Sequence, residues 1–178
     1  ESEYEGVQYI ADNIIAAIKA HKGEKPFALG LTTGKTPIGL YRELVKRYNA
    51  GEVSFANVAV YSLDEFYPIK PTEKQSRNYR IHEELLNHVD IKAENINFPD
   101  GTLPREELSA FCANYDKAHI DLMIIGVGEN GQIGFNEPGS YYKSGTRLVQ
   151  LSYKSRKAQS GAFGKFDNTP KMAITMGI

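Results

Sequence analysis

The segment PFALGLTTGKTPIGLYRELVKRYNAG, residues 26–51, decides the fold. Its first part, PFALGLT, is a short apolar run without helical spacing, so it predicts a buried strand. A turn with a glycine follows, and the rest opens with Thr36 before Pro37, the arrangement that favours a helix N-cap and a first helical residue. The segment therefore predicts a strand, a turn and a helix in succession.

The same alternation continues along the chain. Residues 4–21 carry apolar side chains on one helical stripe and predict a first helix. Further strands are predicted at 58–63, 95–98, 121–127, 147–152 and 173–178, further helices at 78–89 and 104–118, and a helix or loop at 153–168. Strands that alternate with helices predict an α/β fold, a mainly parallel sheet with helices on both faces, and residues 1–178 are expected to form one domain.

Composition indicates which binding partners are excluded and in which cellular compartment the protein is expected. The net charge is −1 with 24% charged residues of mixed sign, which offers no basic face for nucleic acid or an anionic membrane. No apolar run is long enough to cross a bilayer, and Cys112 has no second cysteine to pair with, so we expect a cytoplasmic protein. The chain opens without Met and stops in a strand-like run, so we expect more chain beyond its ends.

Three loops follow predicted strands and carry chemically useful side chains. They are TTGKTP at 32–37, LDEFYP at 63–68 and GVGENGQIGFNEPG at 126–139. In open sheets of this class, ligands bind outside the carboxyl ends of the strands. We therefore expect the three loops to gather at one edge of the sheet.

The first loop suits a phosphate group. Thr32, Thr33, Gly34, Lys35 and Thr36 lie where a helix begins, so free backbone N–H groups, hydroxyls and an ammonium can face one anion. The simpler alternative is that Thr36 only caps the helix and Lys35 is solvated.

A nucleotide hydrolase is a lower-ranked alternative for this loop. The P-loop needs four residues between its two glycines, but Gly30 and Gly34 have three between them, and Leu29 occupies the position of the required glycine.

The second loop offers a candidate acid or base. Asp64 and Glu65 are adjacent, so in extended backbone their side chains point in opposite directions and only one is expected to face a pocket. A carboxyl group beside a sugar carbon can take and return a carbon-bound proton if its pKa is moved toward working pH. An acid that caps the next turn is the commoner use of such a residue.

The third loop suits a hydroxyl-rich ligand. Gly128 permits close backbone approach, and Asn130, Gln132 and Glu137, together with Glu129, supply donors and acceptors. The segment GVGENG has dinucleotide-binding spacing, but no helix is predicted after it, so that interpretation is rejected. The histidines have no metal-ligand spacing and Cys112 is expected to be a small buried residue, so we predict no metal and no covalent nucleophile.

Four segments together resemble the glucosamine-6-phosphate deaminase/isomerase family, which is related to the 6-phosphogluconolactonases. They are LGLTTGKTPIGLYRELV (29–45), SLDEFYPI (62–69), HEELLNHVDIKAENINFPDG (82–101) and GVGENGQIGFNEPGS (126–140), in matching order and spacing. The resemblance runs from about the first helix to the last residue. It implies a modified Rossmann-like fold and a family that continues beyond residue 178.

The resemblance also implies an activity and residue roles. Family members convert glucosamine 6-phosphate to fructose 6-phosphate and ammonia by ring opening, isomerisation through an enediol-type intermediate and loss of the amine, without a cofactor or a catalytic metal. Asp64 would move the proton between the first two sugar carbons, and Glu137 would assist ring opening. The loop residues Thr32, Thr33, Gly34, Lys35 and Thr36, with Glu65 and Gly128, would bind the sugar phosphate.

This chain departs from the family in the third loop. Asn130 and Gln132 replace an Asp and a His of the deaminases, and a glutamine cannot transfer a proton at neutral pH. Loss of a general acid or base typically costs about 10² to 10⁴-fold in rate. A sugar-phosphate-binding or regulatory homologue with weakened catalysis is therefore the first alternative, and a 6-phosphogluconolactonase is the second.

Two further departures concern a predicted lid and allostery. SRKAQSGAFGKF, residues 155–166, resembles the family's mobile lid, but the lid's phosphate-binding arginine falls near Gly161, with Arg156 and Lys157 as candidate substitutes. In the hexameric, allosterically activated members, Ser140 and Arg147 match effector contacts, whereas Val149 replaces a lysine. The resemblance thus leaves a homo-oligomer open and argues against the activation seen in those members.

Overall fold

A computed structural model describes residues 3–128 and 130–178, so Glu129 of the third loop lies outside the described residues. The helices are α1 (Glu3–Ala20), α2 (Thr36–Asn49), α3 (Arg77–Glu84), α4 (Leu108–Tyr115) and α5 (Tyr153–Gln159). The strands are β1 (Phe27–Leu31), β2 (Val58–Ser62), β3 (Asp64–Tyr67), β4 (Ile96–Asn97), β5 (Leu122–Met123), β6 (Arg147–Gln150) and β7 (Met172–Thr175). Short 3-10 turns lie at Leu86–His88, Ala93–Asn95, Ser160–Phe163 and Phe166–Asn168.

The chain divides into two compact units. One comprises Glu1–Tyr61, Arg80–Asn97 and Ile120–Ile124, and the other comprises Ser62–Tyr79, Phe98–His119 and Ile125–Ile178. That residues 1–178 form one domain stays a prediction.

The first unit is built on a parallel four-stranded sheet in the order β4-β2-β1-β5. All five residues of β1 are buried, as the unbroken apolar run FALGL predicts for a strand covered on both faces. Helix α1 packs against α2, and its buried residues Ala11, Ile14 and Ile15 lie on the predicted stripe. This architecture confirms the predicted α/β class with its parallel sheet.

The second unit holds a three-stranded antiparallel sheet in the order β3-β7-β6. Successive strand residues face opposite sides, so Phe66, Val149 and Ala173 join one apolar cluster while Tyr67, Leu148 and Ile174 join another. Helix α4 contributes Leu108 and Cys112 to the second cluster. The small antiparallel sheet therefore has an apolar core on each face.

Several boundaries differ from the predictions, and three of the differences lie at or beside the predicted loops. Residues 64–67 were predicted as part of a loop but form β3, because pairing with β7 supplies their hydrogen bonds. The predicted strand 121–127 pairs with β1 over β5 alone. Thr36 was predicted as the N-cap of α2, but Lys35 already has helical backbone angles and is the N-cap, so Thr36 is the first residue of the helix.

Candidate active site

The first loop leaves β1 and enters α2 as a short turn in the first unit. Thr32 is buried and is held from both sides by Tyr41, whose hydroxyl accepts a hydrogen bond from the Thr32 N–H at 3.2 Å and donates one to the Thr32 carbonyl. Burial raises the pKa of the Tyr41 hydroxyl, so that hydroxyl stays protonated and remains a donor. Tyr41 thus holds the start of the turn against α2.

The rest of this turn has features that suit an anion. Gly34 has φ +147°, a backbone conformation that residues with side chains rarely adopt. The Thr33 Oγ1 atom is buried and has no hydrogen-bond partner, and Lys35 and Thr36 are exposed at the N-terminus of α2. Unpaired backbone N–H groups at a helix N-terminus favour a bound anion.

Asp64 begins β3 in the second unit and is 5% exposed. The Arg77 Nε atom donates to Asp64 Oδ1 at 3.1 Å, and this ion pair is buried on both sides. Burial raises the pKa of the Asp64 carboxyl above its ordinary value, and the Arg77 guanidinium opposes that rise. A carboxyl group in this setting has its pKa moved toward the range that general acid–base chemistry requires.

Arg77 is a site residue that the sequence reasoning missed. Its guanidinium carbon lies 4.5 Å from the centre of the Phe66 ring and 5.4 Å from that of Phe135, so aromatic faces flank the cation. A physical argument could have predicted such a residue. An acid that directly follows a buried strand is removed from water on folding, and it then needs a cation nearby.

Glu65 points away from Asp64, as adjacent strand residues do, and is 2% exposed. Its Oε1 accepts from the N–H groups of Phe66 and Arg77, and its Oε2 accepts from the Ser76 hydroxyl and the Asn78 N–H, at 2.7–3.0 Å. Burial raises the pKa of the Glu65 carboxyl, and these hydrogen bonds oppose the rise. Glu65 therefore holds the start of α3, and its predicted contact with substrate stays a prediction.

The third loop folds back on itself. The Gly128 N–H donates to the Gln132 carbonyl at 2.8 Å, and the Gly131 N–H donates to the Gly128 carbonyl at 2.9 Å. The Asn130 Oδ1 atom accepts from the Gln132 N–H at 3.2 Å, and the Gln132 side-chain amide donates to the Gly134 carbonyl at 3.1 Å. These bonds fix the side chains of Asn130 and Gln132 to the backbone of the loop.

A cavity of about 260 Å³ lies beside this loop. Its lining residues are Gly128, Asn130, Gln132, Phe135, Lys154, Ser155, Ala158 and Gln159. Three predicted site residues of the third loop are thereby brought together with helix α5, the first part of the predicted lid. Lys154 is the ionisable side chain among these lining residues, and Asp64 does not line the cavity.

Glu137, near the end of the third loop, does not line the cavity but contacts Ser155, which does. Its Oε1 atom accepts from the Ser152 N–H at 3.1 Å and from the Ser155 hydroxyl at 2.5 Å. Ser152 is the N-cap of α5 and accepts from the Ser155 N–H at 3.1 Å. Glu137 therefore anchors α5, a contact that spacing in the sequence did not predict.

Asn136 fastens the loop to the antiparallel sheet. Its side-chain amide donates to the carbonyls of Ile133 and Met176, and its Oδ1 atom accepts from Arg147 at 2.9 Å. Arg147, which the resemblance predicts to match an effector contact, thus donates a hydrogen bond to Asn136 in the same unit.

Arg156, a predicted substitute for the lid's phosphate-binding arginine, is also engaged. It donates to the carbonyls of Phe166 and Thr169 at 3.1–3.4 Å, and its guanidinium carbon lies 4.3 Å from the centre of the Phe166 ring. Arg156 thus connects α5 to the 3-10 turn at Phe166–Asn168 and to Thr169 after it. Lys157 is exposed.

The described residues contain neither a cluster of metal ligands nor a membrane-spanning helix. Over residues 3–128 and 130–178, no group of three or more His, Cys, Asp or Glu side chains is arranged to hold a metal ion. No helix in the described part of the chain combines the length and the apolarity that a membrane span requires.

Comparisons with known proteins agree with the fold. The family model described as glucosamine-6-phosphate isomerases/6-phosphogluconolactonase matches residues 1–143. A solved structure of a monomeric glucosamine-6-phosphate deaminase superposes with a TM-score of 0.92 at 33% identity, over 100% of this chain and 74% of that one.

Curated relatives point to the same family. Glucosamine-6-phosphate deaminase 2 of Bacillus subtilis is 40% identical over 88% of this chain and 65% of its own length. Glucosamine-6-phosphate deaminase of Oceanobacillus iheyensis is 42% identical over 84% of this chain and 61% of its own length. The chain thus spans less than two thirds of these two relatives. It belongs to the glucosamine-6-phosphate isomerase/6-phosphogluconolactonase family.

Proposed function

We propose that the protein acts on glucosamine 6-phosphate or an epimer, and with water releases a ketose 6-phosphate and ammonia. The observation that carries the proposal is Asp64: a buried carboxyl at the start of β3, paired with Arg77 and with its pKa raised by burial. Relatives at 40% and 42% identity that bear the name glucosamine-6-phosphate deaminase support the choice of substrate.

Asp64 is the group that moves the carbon-bound proton. Arg77 engages Oδ1, and Oδ2 takes the proton from the second sugar carbon and returns it to the first. Together with the passage of one proton from the amino nitrogen to the aldehyde oxygen, this transfer converts the open-chain amino aldehyde to a ketimine. Water then adds to the imine carbon, and the carbon–nitrogen bond breaks as the ketone forms and ammonia leaves. The positive charge of Arg77 keeps the carboxylate available as a base although the site is buried.

The turn at residues 33–36 is the proposed phosphate-binding segment. Its support is the unpartnered Thr33 hydroxyl, the positive φ of Gly34 and the exposed Lys35 at the N-terminus of α2. An ammonium, hydroxyls and helix N–H groups are the donors that a phosphate monoester requires.

The wall formed by the third loop serves ring opening. Glu137 is the proposed carboxylate, and Asn130 and Gln132 offer amide hydrogen bonds to the sugar hydroxyls. An amide can orient a hydroxyl, but it cannot carry a proton between two oxygens. We therefore expect slow turnover limited by ring opening.

The test is ammonia release by the purified protein supplied with glucosamine 6-phosphate. Asp64→Asn is expected to abolish release, because an amide cannot accept the carbon-bound proton. Asp167→Asn, which changes an exposed aspartate in the same way, is expected to leave release unchanged. Release that persists in Asp64→Asn contradicts the role of this residue.

A sugar-phosphate-binding homologue without turnover is the second candidate. It is favoured by Asn130 and Gln132, which line the cavity. The family resemblance implies an Asp and a His at these two positions in the deaminases, and amides cannot replace them in proton transfer. Calorimetric binding of glucosamine 6-phosphate by a protein that releases no ammonia would select this function. Hydrolysis of a sugar-acid lactone would instead select the lactonase branch of the family.

A further inference from the structure

Glu137 contacts helix α5 through Ser155, a residue that lines the cavity. Ser155 is 7% exposed, and its hydroxyl donates to Glu137 Oε1 at 2.5 Å and lies 3.2 Å from the Ser152 hydroxyl. Ser155 also lines the cavity of about 260 Å³ that holds Asn130 and Gln132. One side chain therefore touches the cavity, the carboxylate and the helix cap.

The Ser155 hydroxyl and the Ser152 N–H approach the same Glu137 oxygen. A hydrogen bond to a charged acceptor is stronger than one between neutral groups, and two donors on one oxygen restrict how the carboxylate can rotate. The residues are 18 positions apart, so the bond joins the end of the third loop to α5. A shift of α5 consequently displaces the carboxylate.

We propose that Ser155, which lines the cavity, is a positioning residue that holds the Glu137 carboxylate in place behind it and couples the orientation of that carboxylate to the docking of helix α5. The inference rests on the proposed function for the role of Glu137 in turnover, but the docking of α5 can be measured without any activity. Ser155 itself exchanges no proton with the substrate.

The kinetic test compares Ser155→Ala with Ser155→Thr and with Ser160→Ala. Ser155→Ala is expected to lower kcat about 10-fold with little change in KM, because a carboxylate that is free to rotate is out of place for most of the time. Ser155→Thr keeps the hydroxyl and is expected to restore kcat. Ser160→Ala is the matched control, since its hydroxyl donates only to the nearby Lys157 carbonyl.

A double-mutant cycle separates positioning from a general structural effect. If Ser155 acts through Glu137, Ser155→Ala in a Glu137→Gln background has little further effect, whereas independent effects multiply. A combined variant whose loss equals the product of the two single losses overturns the proposal.

The second readout is limited trypsin digestion, because α5 contains Lys154, Arg156 and Lys157. Ser155→Ala is expected to speed cleavage within α5 on the order of 10-fold, since it removes a bond that holds the helix. Glu137→Gln is expected to speed cleavage less, because the glutamine oxygen still accepts from Ser155 and Ser152 but without the negative charge. Mass spectrometry of the α5 peptides measures the rate, with Ser160→Ala expected to match the wild type.

The two proposals fail in different ways. A wild-type protein that releases no ammonia contradicts the proposed function, and the trypsin rates still test the docking of α5. An active wild type in which Ser155→Ala has the same kcat and the same α5 cleavage rate as Ser160→Ala overturns the positioning role alone.

Discussion

Gly34 is the residue at which backbone conformation constrains the proposed phosphate turn. A Cβ atom at this position would meet nothing closer than Pro37 Cδ at 3.6 Å, so space is available and the constraint is φ +147°. The turn therefore needs glycine for its backbone angle, not for close packing.

Gly34→Ala is expected to lower the free energy of unfolding by about 1–3 kcal/mol, because alanine is strained at this φ. Gly6→Ala is the control of opposite sign: Gly6 lies in α1 with open space around it, and alanine there is expected to raise stability by about 0.5–1 kcal/mol. Urea unfolding of both variants measures the effects. A Gly34→Ala protein as stable as the wild type contradicts the assigned backbone conformation.

The buried ion pair shows which site residues local spacing could indicate and which it could not. Asp64 was recognisable because it follows a predicted strand and belongs to a familiar segment. Arg77 lies 13 residues later in a stretch with no distinctive spacing, and only folding brings its Nε within 3.1 Å of Asp64. When two residues are brought together only by the tertiary fold, the spacing of residues in the sequence does not indicate the pair.

At the scale of the element, Glu65 decides where α3 begins. The first N–H groups of a helix have no partners within the helix, and Glu65 accepts from those of Arg77 and Asn78. A carboxylate from a neighbouring strand thus takes the place of a local N-cap side chain.

Glu65→Gln is expected to lower the free energy of unfolding by about 2–3 kcal/mol at neutral pH, because a glutamine NH₂ group would face donors and leave buried N–H groups unpaired. Glu83→Gln, at an exposed position of the same helix, is expected to stay within about 0.5 kcal/mol of the wild type. Chemical denaturation followed by circular dichroism checks both. Equal stability of the two variants would argue against the anchoring role of Glu65.

Strand β3 also shows how pairing with a strand that is distant in sequence can override a local sequence pattern. Residues 64–67 were predicted as part of a loop that follows the strand at 58–63. They form a strand because β7, more than 100 residues later, pairs with them in an antiparallel register that joins Asp64 to Thr175. Long-range hydrogen bonding of this kind is decided by the fold.

At the scale of the whole molecule, the buried carboxyls make stability depend on pH. The pKa of Asp64 is raised in the folded chain, so above about pH 4 the unfolded chain loses this proton before the folded chain does. The folded state then binds more protons than the unfolded state, and this contribution to stability decreases as pH rises through the raised pKa.

The stability of Asp64→Asn relative to the wild type is therefore expected to increase between about pH 4 and neutral pH, by about 1.4 kcal/mol for each unit of pKa shift. Urea unfolding at a series of pH values measures the difference, and Asp167→Asn, at an exposed position, is expected to give a constant difference. A difference that shrinks as pH rises would reverse the sign assigned to Asp64.

The sequence by itself determined the α/β class, the strand–turn–helix of residues 26–51, the helix α1 and the family, because periodicity, glycine turns and ordered motifs are local properties of the chain. Tertiary structure alone decided the antiparallel sheet of β3, β7 and β6, the pairing of Asp64 with Arg77 and the contact of Glu137 with Ser155. These contacts join residues that are distant in sequence, and their partners are selected by burial, which removes water and requires each polar group to find a donor or acceptor within the protein.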